Sequence, residues 1–295
     1  MIQYRKSQAE LETLIEAESA GWLKHAAART ATFRINGCYH EAGPIWSKVK
    51  PAYMRLQGGS KCAYCERKLE SVDYGKGEQA VDHFRPKGSV KAWPEAKRLA
   101  QEGIPFAAAP PKGKGYYLLP YHPFNYAAAC NPCNSILKKD YFPIAGSYQL
   151  DGDDPLQLVE EQPYVIYPIG DFDVAPEALI EFYGISPRPV ASAGHDRHRA
   201  LVTIEFFRLG DEAGRKNLFL ERAQLLIALF PQLEKMHQPE PSQDRAAATS
   251  VVEACMRPTT PHANCCRSFK RLYDQSTTDA YEIYNAARRF VASTS

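Results

Sequence analysis

The sequence contains no apolar run of about 18 residues, the length a membrane-spanning helix needs. Its first residues, Met1-Ile2-Gln3-Tyr4-Arg5-Lys6, lack the apolar stretch of a secretory signal. A cytoplasmic chain with no membrane partner is therefore expected. No internal repeat is present, which excludes solenoids and propellers. One absence is local: between Asp151 and Pro187 there are nine acidic residues and no Lys or Arg. That stretch should avoid nucleic acid, and is expected to face solvent, mask a basic surface or meet a basic partner protein.

The charge missing there is found elsewhere. From Ile45 to Asp140 there are 16 Lys/Arg and 8 Asp/Glu, a balance of +8, although the whole chain carries only +2. A basic segment fits a polyphosphate partner, whose affinity comes largely from phosphate contacts. Eight cysteines in a reducing compartment point to metal more than to bridges.

Four of those cysteines form two knuckles, Cys62-Ala63-Tyr64-Cys65 and Cys130-Asn131-Pro132-Cys133. Two Cys-x-x-Cys pairs suit a tetrahedral structural zinc, with all four positions filled by thiolate and none open to water. Such an ion is a staple and not a catalyst. It would close the 64 residues between Cys65 and Cys130 like a clasp. Four buried free thiols, or disulfides, are the alternatives.

Inside the clasp, Asp82 and His83 are adjacent. At a strand end both can reach one site, where a carboxylate suits a hard divalent ion and a neutral imidazole can take a proton from water. In most proteins an Asp-His pair is only a hydrogen-bonded cap; the flanking cysteine pairs raise its value here.

With Cys62/Cys65, Asp82-His83, Asn125, Cys130/Cys133-Asn134 and Lys138 in this order, the chain resembles the HNH nucleases of the ββα-metal fold. The words around them are similar to a subgroup that includes the HNH subunit of Septu-type anti-phage systems and some retron-associated effectors. The resemblance covers about residues 45 to 145. It implies that Asp82 and Asn134 bind a catalytic ion. It also implies that His83 is the general base and that Asn125 orients His83 through its amide. Asn134 stands where many members have His, which favours magnesium or manganese over zinc at that ion. Asn134 to Lys138 is one residue longer than usual, so either Lys138 or Lys139 takes the phosphate-facing role. His122, just before the middle Asn, is a second imidazole near the site or a turn histidine held by Pro123.

The fold expected is α+β: a mainly helical chain around a zinc-stapled ββα-metal core. Residues 1–57 form an N-terminal helical segment, 58–150 the nuclease core, and 151–295 an acidic segment and helical region. Helices are read over 8–29, capped by Ser7, over 45–56 until Gly58-Gly59, and over 191–209, 217–236 and 269–290. Residues 34–43 read as loop. Strands are read over 78–84, 116–121 and 164–167. The last helix is expected to turn Leu272, Tyr273, Tyr281, Tyr284 and Ala287 inward. Residues 87–115 read as a long insertion whose Pro/Gly/Lys tip either reaches along a nucleic-acid groove or is solvated. His195/His198, and Cys255 with His262, Cys265 and Cys266, are weaker candidates for further metal sites.

The function expected is metal-dependent cleavage of nucleic acid, DNA before RNA, in anti-phage defence, with a partner ATPase. The competing reading is a zinc-stapled module that binds nucleic acid or protein without catalysis.

Overall fold

The computed structural model describes residues 1–59, 61–75, 77–239 and 242–294. It is mostly helical, with two separate two-stranded sheets, an α+β arrangement. Among the described residues no helix is long and apolar enough to cross a membrane.

Helix α1 (Gln8–Glu18) starts in a capping box: the Ser7 hydroxyl accepts the Glu10 N–H, and the Glu10 carboxylate accepts the Ser7 N–H. The single helix expected over 8–29 is two. Gly21 takes a left-handed φ of +77° and breaks the run, and α2 (Trp22–Asn36) then continues through part of the stretch read as loop. It continues because Phe33 has a core to enter, stacking 6.2 Å from Tyr121 and edge-on to Tyr39. A 3₁₀ turn at Trp46–Val49 leads into α3 (Lys50–Leu56), which ends at Gly58-Gly59 as expected. The Gly59 N–H reaches back to the Met54 carbonyl at 2.9 Å.

Strand β1 (Gln79–His83) pairs antiparallel with β2 (Tyr126–Cys130), Asp82 opposite Ala127 and His83 opposite Tyr126. The aromatic run 116–121, expected as the second strand, is turn; the strand is Tyr-Ala-Ala-Ala-Cys. Alanine carries little strand preference, so the pattern was mute. Burial decides instead: all five residues of β2 are buried. Beside β2 the fully buried Gln57 stands in for a strand. Its amide accepts the Ala128 N–H and donates to the Ala128 carbonyl, both at 2.8 Å. A short helix of i→i+5 type, the knuckle helix (Pro132–Lys138), follows.

Backbone bonds strap the 87–115 insertion to the body: Val90 N–H to Lys114 O, Lys91 N–H to Asp140 O and Ala107 N–H to Ile144 O. The acidic segment is used inside the molecule. Asp153 pairs with Arg34, Glu161 with Arg85, Asp173 with Arg199, Glu177 with Arg267 and Glu181 with Arg188, five of its nine carboxylates. Tyr164–Tyr167 is buried but joins no ladder among the described residues. After α4 (Pro176–Leu179), the second sheet is instead a hairpin of β3 (Ile180–Tyr183) and β4 (Ser186–Pro189). The prolines of β4 hid it.

Helix α5 (Gly194–Phe206) precedes α6 (Lys216–Met236), against which α7 (Gln243–Met256), α8 (Ala263–Gln275) and α9 (Thr277–Thr294) pack. The terminal helix expected over 269–290 is thus broken at Ser276. Tyr273 and Ala287 are buried, and Tyr281, though about half exposed, lies with its ring 5.8 Å from that of the buried Phe230.

Candidate metal centre

The sulfurs of Cys62, Cys65, Cys130 and Cys133 all lie within 4.8 Å of one another, and all four residues are buried. Zinc–sulfur bonds of about 2.3 Å in a tetrahedron separate the sulfurs by roughly 3.8 Å. Cys65 Sγ and Cys130 Sγ are 3.8 Å apart. All four thiols are free, and their spacing fits one zinc ion. Their surroundings suit anionic sulfur: the Cys130 N–H points at Cys62 Sγ (3.4 Å), and the Arg215 guanidinium lies 3.7 Å from Cys133 Sγ.

The knuckles bring three chain segments together. Cys130 ends β2, Cys133 lies in the first turn of the knuckle helix, and the Ala63 N–H bonds the Ala128 carbonyl at 3.0 Å. Between the first two cysteines, the Tyr64 hydroxyl donates to Asp82 Oδ2. The other oxygen, Oδ1, faces Lys138 Nζ at 3.2 Å, and that ammonium also donates to the His83 carbonyl at 2.6 Å. Asp82 and Lys138 are both sealed from water.

His83 ends β1, only 8% exposed, between the rings of Trp46 (4.8 Å, edge-on) and Tyr126 (5.1 Å). Its Nε2 is 3.2 Å from the Pro120 carbonyl oxygen. A carbonyl only accepts, so Nε2 carries the hydrogen and Nδ1 of the neutral ring has the free lone pair. Burial first, then the nearby charges of Lys87 and Lys138, hold the ring well below the ordinary histidine pKa, outweighing the Pro120 hydrogen bond. The Asn125 amide makes no bond to the ring. It accepts the Arg85 N–H (2.7 Å) and donates to the Arg85 and Leu119 carbonyls (3.1 and 2.9 Å), clamping the chain as it leaves β1.

Asn134 lies four residues before Lys138 on the knuckle helix, half-buried, its carbonyl taken by the Lys139 N–H. Asp82 and Asn134 offer oxygen only, the chemistry of magnesium or manganese. The place beside Asp82 already attracts a cation, the Lys138 ammonium. Both Asp82 oxygens are taken, by the Tyr64 hydroxyl and the Lys138 ammonium, so an ion there would have to displace that ammonium. Of the two lysines, Lys138 points inward and Lys139 is exposed, with φ +48°.

The chain is 29% identical over 140 residues to Septu protein PtuB of Bacillus mycoides (strain KBAB4). The matched stretch is 48% of this chain and 41% of that protein, so less than half of the relative is spanned. No family model matches the chain. No solved structure matches it.

The weaker metal candidates form no cluster of three ligands: among the described residues the four knuckle cysteines alone do, while the Cys255 and Cys266 thiols meet only as a pair. His262 bonds Glu221 at 2.9 Å, and Cys265 donates to the Gly184 carbonyl. His122 is the turn histidine, its Nδ1 accepting the Phe124 N–H at 3.1 Å. Three neighbours of the site carried no readable signal: Tyr64 between two cysteines, Trp46 against the imidazole, and Lys87, whose ammonium sits 4.4 Å from the Trp46 ring centre. A cleft of about 880 Å³ is lined by Pro132 and Ile136 of the knuckle helix. Its arginines are largely spent on Glu221, Glu95 and Glu205.

Proposed function

We propose that this chain is a metal-dependent HNH endonuclease that hydrolyses phosphodiester bonds as the effector of a Septu-type anti-phage system. The observation that carries the reading is the meeting of β1 and the knuckle helix at Asp82, His83 and Lys138, tied to the gathered cysteines through Tyr64 and through Cys133 on the same helix. The similarity to Septu protein PtuB supports the defence setting. In this reading the nuclease unit is 58–150, flanked by 1–57 and 151–295.

Zinc on the four thiolates holds the scaffold. Asp82 and Asn134 would hold a magnesium or manganese ion, which would supply Lewis-acid stabilisation of charge on the phosphate and leaving oxygen. His83 receives the proton of the attacking water at Nδ1, while the Pro120 carbonyl keeps Nε2–H in place. Asn125 positions that base through the Arg85 backbone and not through the ring. Lys87, beside the imidazole, meets the phosphate. DNA is the preferred substrate, and a partner ATPase controls access.

His83→Ala should lower cleavage by about 10²–10⁴-fold with zinc content and unfolding midpoint retained. The assay compares plasmid, single-stranded DNA and tRNA, with magnesium or manganese against chelator. One feature favours the non-catalytic binding module: Asp82 has both oxygens occupied and His83 is nearly closed off. A His83→Ala protein that cuts as well as wild type would overturn the role given to His83, and a wild-type chain that binds nucleic acid but cuts none of the three with either metal would establish that second reading.

A further inference from the structure

A cavity of about 230 Å³ opens between the residues that follow His83 and the acidic segment. Phe84, Tyr167 and Phe172 form an aromatic wall, Phe84 to Tyr167 at 4.7 Å and Tyr167 to Phe172 at 5.5 Å between ring centres. Two buried arginines also line it, Arg85 (3% exposed) and Arg199 (5%). Each is tied to a carboxylate: Arg85 Nε to Glu161 at 2.8 Å, and Arg199 through both terminal nitrogens to Asp173 at 2.7 Å. Yet Arg85 Nη1 and Arg199 Nε are buried with no hydrogen-bond partner among the described residues. Two orphaned donors beside one cavity are costly unless something fills it.

The charge balance selects the ligand. Both guanidinium charges are already neutralised, and the cavity rim belongs to the acidic segment, so a phosphate or carboxylate is poorly served. What remains is a wall of aromatic rings tilted by 45° and 37° to one another, any one of which offers a face, beside two donors that call for acceptor atoms. A nucleobase has both, a face for aromatic stacking and an edge of ring nitrogens and carbonyl oxygens. The volume falls below the roughly 300–1,000 Å³ of sites for drug-sized ligands, room for one ring system.

We propose that this cavity is a nucleobase pocket, in which Arg85 and Arg199 read the edge of one unstacked base and the aromatic wall takes its face. Guanine, whose O6 and N7 both accept, is the base best matched. Phe84 and Arg85 follow His83 directly in the chain, and Asn125 clamps Arg85 on both sides of its backbone. A base held here fixes the strand beside His83, so these residues determine sequence preference. That last step rests on the nuclease reading; base binding does not.

The test titrates the zinc-loaded full chain with guanosine, adenosine, cytidine and thymidine, and in parallel with inorganic phosphate, by calorimetry. Val159 lines the cavity and is 68% exposed, so Val159→Trp fills the space without removing a buried charge. Arg199→Met removes the donor. Guanosine should bind tightest, and each variant should weaken it by at least about tenfold, the scale of a lost specific base contact. Val159→Trp should keep its zinc and its urea midpoint. Phosphate binding tighter than any nucleoside, no saturation by any nucleoside, or undiminished guanosine binding by Val159→Trp overturns the proposal. A chain that binds guanosine but cuts nothing leaves the pocket standing and removes the nuclease reading. A chain that cuts but binds no base does the reverse.

Discussion

Lys138 reaches from the knuckle helix to Asp82 on β1, its ammonium 3.2 Å from Oδ1, with both side chains closed to water. A buried pair of this kind adds little net stability, because desolvation offsets attraction, but removing one partner strands a charge. Lys138→Met should therefore cost about 3–5 kcal/mol. The double variant Asp82→Asn/Lys138→Met should recover much of it. Urea unfolding of the three proteins checks this. A Lys138→Met midpoint equal to wild type would mean that losing the ammonium strands no charge at Asp82.

The four thiolates make a second prediction. Purified chain should carry one zinc, and Cys133→Ser should lose it together with cooperative unfolding, since binding energy on the order of 10–16 kcal/mol is folding energy in such sites. Metal analysis by mass spectrometry, followed by thermal unfolding, decides it. A metal-free chain that unfolds as sharply as the loaded one would reduce the cluster to four packed thiols.

Why the cysteine cluster was legible and its neighbourhood was not follows from chemistry. A Cys-x-x-Cys spacing is set by the metal it closes around, so it survives in the bare sequence. Tyr64, Trp46 and Lys87 reach the site only through the fold, and their residue types have many uses. β2 was unreadable because its three alanines are strand only where Gln57 and β1 bond them from either side. For the acidic stretch 151–187 the sequence leaves three uses open: facing solvent, masking a basic surface or meeting a basic partner. In the fold its carboxylates meet arginines from distant positions, Arg34, Arg85, Arg199 and Arg267. Charge composition reports sign but not partner.

Gly58 and Gly59 allow a test with its own control. Both have positive φ, +90° and +79°. A Cβ on Gly58 would lie 2.5 Å from the Thr259 backbone, whereas one on Gly59 meets nothing within 4 Å. Gly59→Ala should cost only the left-handed penalty, roughly 1–2 kcal/mol. Gly58→Ala should cost clearly more, since it also pushes the α7–α8 connection off the end of α3. Equal urea midpoints for the two variants would show that this contact yields freely.

His122 sets a pH dependence whose sign can be worked out. Burial lowers its pKa from 6.5 to about 4, while Nδ1 accepts the Phe124 N–H, a bond only the neutral ring can make. The unfolded chain therefore takes up this proton first as pH falls. The contribution of neutral His122 is complete above about pH 6.5, declines below it, and levels off under about pH 4. At pH 5 the loss amounts to about 2 kcal/mol. His122→Asn keeps an acceptor for the Phe124 N–H but does not titrate. The stability difference between wild type and His122→Asn should stay constant from pH 8 to 7 and shift against wild type by pH 5. The depressed His83 and His195 are common to both proteins and cancel in the difference. Urea unfolding of each protein at these pH values checks the prediction; parallel profiles would mean that the His122 ring takes up its proton in the folded chain as readily as in the unfolded one.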